Sequence, residues 1–121
     1  MLNLDTNIVV NFFANSLSRA EIEVMDGQKF GICSIVLWEL AKLKQLGRIS
    51  FGPDDPRVLQ FISETRIWAI DVDVAVASTR LDFRSDPADE LIAATSLVHQ
   101  VPLLTRDTVI RSSKIVPLVL R

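Results

Sequence analysis

Short apolar runs alternate along this chain with segments of helical periodicity, and that alternation predicts an α/β fold. Met1–Leu4 reads as a first strand, followed by Asp5-Thr6-Asn7 and an apolar run from Ile8 to Phe13. The triplet marks a strand-to-helix turn in which Thr6 or Asn7 caps. Ser18-Arg19-Ala20-Glu21 has the capping-box pattern of a second helix, closed by Asp26-Gly27. Lys29–Cys33 is the second strand. Ser34 then caps a helix from Ile35 to about Leu46, with Gly47 at its end. Asp54-Asp55-Pro56 starts another helix, with Val58, Leu59, Phe61 and Ile62 facing inward.

The third strand spans Ile67–Val72, and Asp71 or Asp73 starts a helix through about Leu81. After a polar loop, Asp82–Ser85, a helix runs from Asp86-Pro87 to about His99. Val101–Leu104 is the fourth strand, a short turn or helix occupies Thr108–Ser113, and Ile115–Leu120 is the last strand. The expected architecture is a single domain, residues 1–121: a three-layer α/β sandwich around a mostly parallel sheet of about five strands. No internal repeat or low-complexity segment interrupts it.

Composition narrows the chemistry. Nearly half of the 121 residues are apolar, enough for a real core, yet no apolar run is long enough to span a bilayer. No basic region followed by an apolar stretch marks a signal peptide. With the single Cys33, expected to be buried, this points to a reducing cytoplasm. One His and no Tyr exclude a metal-free nuclease with paired histidines and a His-rich zinc site. The chemistry must rest on carboxylates, Lys, Arg and hydroxyls. A net charge of −2 argues against a dedicated nucleic-acid binder, but not against an enzyme with an acidic metal site.

In an open parallel sheet, ligands bind beyond the carboxyl ends of the strands. Asp5 follows the first strand directly and Asp107 follows the fourth. Asp89 lies in the first turn of the helix begun by Asp86, three residues on and on nearly the same face. Both acids suit a first turn, with Asp86 the better cap. Glu39 sits in the apolar stretch Ile35-Val36-Leu37-Trp38-Glu39-Leu40, where a carboxylate is costly unless paired, protonated or bound to a cation. It either pairs with Lys42 or Lys44 or faces the same crevice as the other acids. Four converging acids would repel one another, and Mg²⁺ or Mn²⁺ with its oxygen ligands resolves that conflict. Such ions activate water and stabilise the leaving oxygen of a phosphodiester.

Two further motifs are better read as structural. Asp71-Val72-Asp73 resembles a phosphatase nucleophile motif, but too little chain follows it, and Asp73 is better read as a cap. His99 suits the end of its helix and receives no catalytic role.

Taken together, Leu4-Asp5-Thr6-Asn7, Ser34 through Trp38-Glu39-Leu40, Asp86-Pro87-Ala88-Asp89-Glu90-Leu91-Ile92-Ala93-Ala94-Thr95 and Leu104-Thr105-Arg106-Asp107 resemble the PIN-domain ribonucleases, specifically VapC-type toxins of toxin–antitoxin pairs. The pieces come in that family's order and spacing, from Met1 to about Arg111. The resemblance implies a Mg²⁺- or Mn²⁺-dependent endoribonuclease, a homodimer inhibited by a small antitoxin protein. It carries metal-binding and catalytic roles onto Asp5, Glu39, Asp89 and Asp107, a supporting hydroxyl onto Thr6 and a recurring acid onto Asp86. Arg106 and Lys42 are expected to contact RNA phosphates. Phe12, Phe13 and Trp38 either pack in the core or serve a dimer or antitoxin surface. The alternatives are a catalytically silent PIN-like binding module and a receiver-like phosphoacceptor domain, which lacks its required Lys after the last strand.

Overall fold

A computed structural model describes residues 1–121. Its sheet has the order β3-β2-β1-β4, with every neighbouring pair parallel. The strands are β1 (Leu2–Leu4), β2 (Phe30–Cys33), β3 (Arg66–Trp68) and β4 (Leu103–Leu104). Seven helices connect and cover them: α1 (Thr6–Phe13), α2 (Arg19–Met25), α3 (Ile35–Gln45), α4 (Pro56–Ser63), α5 (Val72–Ser78), α6 (Pro87–His99) and α7 (Thr108–Arg111).

The central strand β1 is buried along its whole length, as expected of a parallel strand covered on both faces. Leu2, Leu4, Ile32, Leu103 and Leu104 of the sheet pack with Ile8, Val36, Leu40, Ile92 and Ile110 from the helices. Helix α6 presents Ala88, Ala93, Ala94 and Ser96 to the interior, and these small side chains let it lie close to its neighbours. Asn3, fully buried in β1, donates to Ile92 O at 3.1 Å and to Ser96 Oγ at 2.9 Å, tying the strand to this helix. No helix is long and apolar enough to cross a membrane.

Several boundaries differ from expectation, each for a local reason. Asp5, rather than Thr6 or Asn7, caps α1, its Oδ1 accepting from Thr6 N at 2.8 Å. Ser34 is already helical and makes no side-chain cap, so α3 leaves β2 without a stop. Leu59 faces solvent at 51% exposure, while Val58, Phe61 and Ile62 turn to the core. Strand β3 ends at Trp68 because Asp71 leaves the sheet to cap α5, accepting from Val74 N at 2.9 Å, and α5 stops at Ser78. The expected last strand shrinks to one parallel bridge, Leu103 to Leu118. Leu103 N donates to Pro117 O and Val119 N to Leu103 O, but Pro117 has no N–H for the next rung.

Candidate functional site

Asp5 and Asp107 cap the helices that follow β1 and β4, and Asp89 stands in the first turn of α6. This leaves several carboxylates at the carboxyl edge of the sheet. Asp5, the residue after β1, is almost fully buried. Its Oδ2 accepts from the Thr105 hydroxyl at 2.5 Å and from Asn7 Nδ2 at 3.3 Å, beside the Thr6 amide on Oδ1. Burial pushes its pKa up to about 7, with Asp89 and Glu39 adding repulsion against the favourable hydrogen bonds from Thr105 and Thr6.

Glu39 projects from the second turn of α3 and accepts the Thr6 hydroxyl. It is not paired with lysine: Lys42 stands exposed and donates to Gln45 at 2.8 Å instead. Burial raises the Glu39 pKa, opposed by Thr6 and reinforced by Asp89 and Asp86. Asp89, in the first turn of α6, accepts from Ser85 Oγ at 3.1 Å. Its pKa is also raised by burial, against the Ser85 bond, with Asp107, Asp86 and Glu90 pushing the same way.

Asp5, Glu39 and Asp89 line one cavity of about 370 Å³, together with Thr6, Asn7, Asn11 and Arg48. None of the three acids is in an ion pair; the chain's three salt bridges lie elsewhere. Asp107 is outside this lining. It caps α7, accepting from Val109 N and Ile110 N at 2.9 and 3.0 Å, yet it is near enough to raise Asp89. Asp86 occupies the N-cap position of α6 but makes no capping hydrogen bond. It faces an adjoining cleft with Glu39, Trp38, Pro87 and Leu91.

Arg106 is committed within the protein. Nε donates to Glu21 Oε2 at 2.8 Å, and one terminal nitrogen reaches Glu21 Oε1 at 2.7 Å and Ser16 O at 2.8 Å. This fork clamps the loop after β4 onto α2. Phe13 packs in an aromatic cluster with Phe51 and Phe61, whereas Phe12 and Trp38 are exposed. His99 stacks on Trp68 with ring centroids 5.4 Å apart, consistent with a structural role.

The donor set suits a hard divalent cation: carboxylates, hydroxyls and amides, all offering oxygen, around acids with no internal counter-charge. No three Asp, Glu, His or Cys side chains are gathered closely enough to grip an ion as they stand. Ligation partly through water is the mode Mg²⁺ ordinarily adopts.

Thr105, Ser85 and Arg48 were not singled out by the sequence pattern. Thr105 and Ser85 lie two and four residues before an acid, a spacing at which a hydroxyl can organise a carboxylate turn. Arg48 carried no such signal, because its direction depends on the reversal at Gly47.

The family model of the PIN domain matches residues 3–114. Among solved structures, the fold is similar to a toxin–antitoxin complex from Klebsiella pneumoniae, at 22% identity and a TM-score of 0.74, covering 98% of this chain and 97% of that one. A crystal structure of VapBC2 from Rickettsia felis, bound to a DNA fragment from its promoter, gives 20% identity and a TM-score of 0.72, with 98% of each chain covered. FitAcB from Neisseria gonorrhoeae gives 21% identity and a TM-score of 0.68 over 91% of this chain and 90% of that one. No curated protein matches at a significant level by sequence.

Proposed function

The chain belongs to the PIN-domain family, and from that premise we propose that it is a Mg²⁺- or Mn²⁺-dependent endoribonuclease that hydrolyses RNA phosphodiester bonds. The same proposal makes it the toxin of a VapBC-type pair, a homodimer held inactive by a small antitoxin. The observation that carries the nuclease reading is the meeting of Asp5, Glu39 and Asp89, from three separate elements, in one cavity without any salt-bridge partner. The toxin reading is supported by the likeness in fold, over nearly whole chains, to toxin–antitoxin complexes. Family membership sets aside a receiver-like domain.

In this reading Asp5, Glu39 and Asp89 hold the ion, with Asp107 contributing from beside Asp89. The bound ion supplies an acidified water and neutralises charge on the phosphate. Every other contribution comes from the chain. Thr105 and the Thr6 amide orient the two oxygens of Asp5 and favour its charged form. Thr6 bridges Asp5 and Glu39 by donating its amide to one and its hydroxyl to the other, so the two acids are positioned as a unit. Ser85 fixes the rotamer of Asp89. Asp86, free of capping duty, adds negative potential at the mouth, which favours a cation over solvent.

The test is incubation of the purified protein with structured RNAs in Mg²⁺ or Mn²⁺, with and without chelator. Cleavage should require the ion and vanish in Asp89→Asn. Cutting that survives chelation, or no cutting in any divalent ion, would sink the nuclease proposal. Growth arrest on expression, relieved by a neighbouring small reading frame, tests the toxin assignment separately.

A further inference from the structure

A polyanion entering a cavity walled by three carboxylates meets repulsion unless a cation stands where its phosphates pass. The sequence offered Arg106 and Lys42 for that task, and neither lines the cavity: Arg106 is held by Glu21 and Ser16 O, and Lys42 by Gln45. One basic side chain does line it, that of Arg48.

Its place is set by the backbone. Helix α3 ends at Gln45 with Leu46 as its C-cap, and Gly47 takes the left-handed conformation at φ 73°. Gly47 N then donates to Lys44 O at 3.0 Å, and Arg48 N to Leu43 O at 2.9 Å. These two bonds are the Schellman arrangement, which reverses the chain and fixes the residue after the glycine. The backbone of Arg48 is therefore anchored while its guanidinium is free. It makes no hydrogen bond to protein and belongs to none of the three salt bridges. It is not serving as an internal counter-ion for Glu39 or Asp89. Leu43 and Ile49 flank it in the lining, and Arg48 itself is exposed, so its guanidinium is open to a ligand entering from solvent.

We propose that Arg48 is the phosphate-binding residue of this site, its guanidinium gripping a backbone phosphate of the RNA strand while the carboxylates opposite hold the ion that serves the scissile bond. The inference rests on the nuclease reading and adds to it a strand path, across the cavity from the α3 turn to the start of α6. Arginine suits the task because its planar fork meets two phosphate oxygens at once, whereas lysine offers a point charge.

The test uses Arg48→Gln and Arg48→Lys, in the intact chain for kinetics and combined with Asp89→Asn for binding without cleavage. The probe is a fluorescent single-stranded oligoribonucleotide titrated at several salt concentrations. In the intact chain, R48Q should raise KM by about tenfold with a smaller change in kcat, and R48K should fall between. On the Asp89→Asn background, R48Q should lower the salt dependence of log Kd by about 0.7, the value of one phosphate contact on a single strand. Melting temperature should stay unchanged, since the side chain holds nothing in the fold. Equal KM and equal salt slope in wild type and R48Q, with RNA still cut, would overturn this inference and leave the nuclease reading standing. So would tighter Mn²⁺ binding by R48Q with an unchanged salt slope, which would make Arg48 a counter-ion for the acids. A wild-type chain that neither cuts nor binds RNA would overturn both.

Discussion

The hydroxyl of Thr105 donates to Asp5 Oδ2 at 2.5 Å across 100 positions of sequence, and it accepts in turn from Asp107 N at 2.9 Å. One side chain thus couples the acid after β1 to the acid after β4. Thr105→Val keeps the shape and removes the donor. Asp5 would lose a bond that favours its charged form, so its pKa should rise above about 7 and the acid limb of the pH–rate profile should move to higher pH. Stability should fall by about 1–3 kcal/mol, the cost of an unmade buried hydrogen bond. Thr105→Ser should restore both, as read by pH–rate profiles and thermal melts.

The raised pKa of Asp5 has a stability consequence of definite sign. Below about pH 4, Asp5 is protonated folded or unfolded and nothing is lost. From there to about pH 7 the unfolded chain ionises while the folded one retains its proton, so stability falls as pH rises. Above that the penalty is constant, on the order of 4 kcal/mol for a shift of this size. Melts of chelated protein should therefore decline between pH 4 and 7. Asp5→Asn should flatten that decline. Mg²⁺ should stabilise wild type more at pH 8 than at pH 5, because ion and proton compete for the carboxylate. An equal Mg²⁺ effect at both would contradict this.

Glu21 behaves in the opposite sense. The Arg106 fork brings its pKa down to about 2, aided by Ser18 against the cost of burial. Its contribution is present above the ordinary carboxylate range and is lost as pH falls through about 2. Glu21→Gln should cost about 2 kcal/mol at pH 7 and nothing at pH 1.5, where the two proteins should melt alike. Arg106→Gln should cost more than Arg106→Lys, because it leaves Glu21 buried beside no charge.

A glycine in β2 makes a purely architectural prediction. A Cβ on Gly31 would lie 2.3 Å from the Trp68 ring, on the neighbouring strand. Gly31→Ala should destabilise the protein by about 3 kcal/mol, and the near-ultraviolet signal of Trp68 should change. Adding Trp68→Leu should recover part of the loss, because the clash partner is gone. No recovery would place the strain in the backbone instead.

The order of strands and helices was legible because apolar periodicity and acid-Pro or capping-box starts are local signals. Ser18 with Glu21, Asp55 with Pro56 and Asp86 with Pro87 all begin helices as read. What local signals could not carry was competition between roles. Asp5 both follows the strand and caps the helix, so the Thr6 hydroxyl is left to donate to Glu39 while the Asn7 amide turns back to Asp5. Leu59 fitted an inward stripe but faces solvent, and Pro117 removes a rung that a run of β-formers predicted. Of the acids that line the cavity, Asp5 stood out because it follows a strand, Asp89 because it starts a helix, and Glu39 because a carboxylate interrupts an apolar stretch. Arg106 is drawn away from the cavity that Arg48 lines, because a guanidinium's partner is chosen by tertiary reach: Glu21 lies 85 positions from Arg106 in sequence.

Asn3 gives the distance between the acids a cause outside the site. Its amide is bonded to α6 at Ile92 and Ser96, two residues before Asp5 on one side and just past Asp89 on the other. A slide of α6 along the sheet that widened the gap between the carboxylates would break these buried bonds first. The spacing of the acids is thus gauged from inside the core, as a caliper's jaws are set by its beam. A ligand can turn side chains at the mouth, but changing the opening itself requires work on the hydrophobic interior.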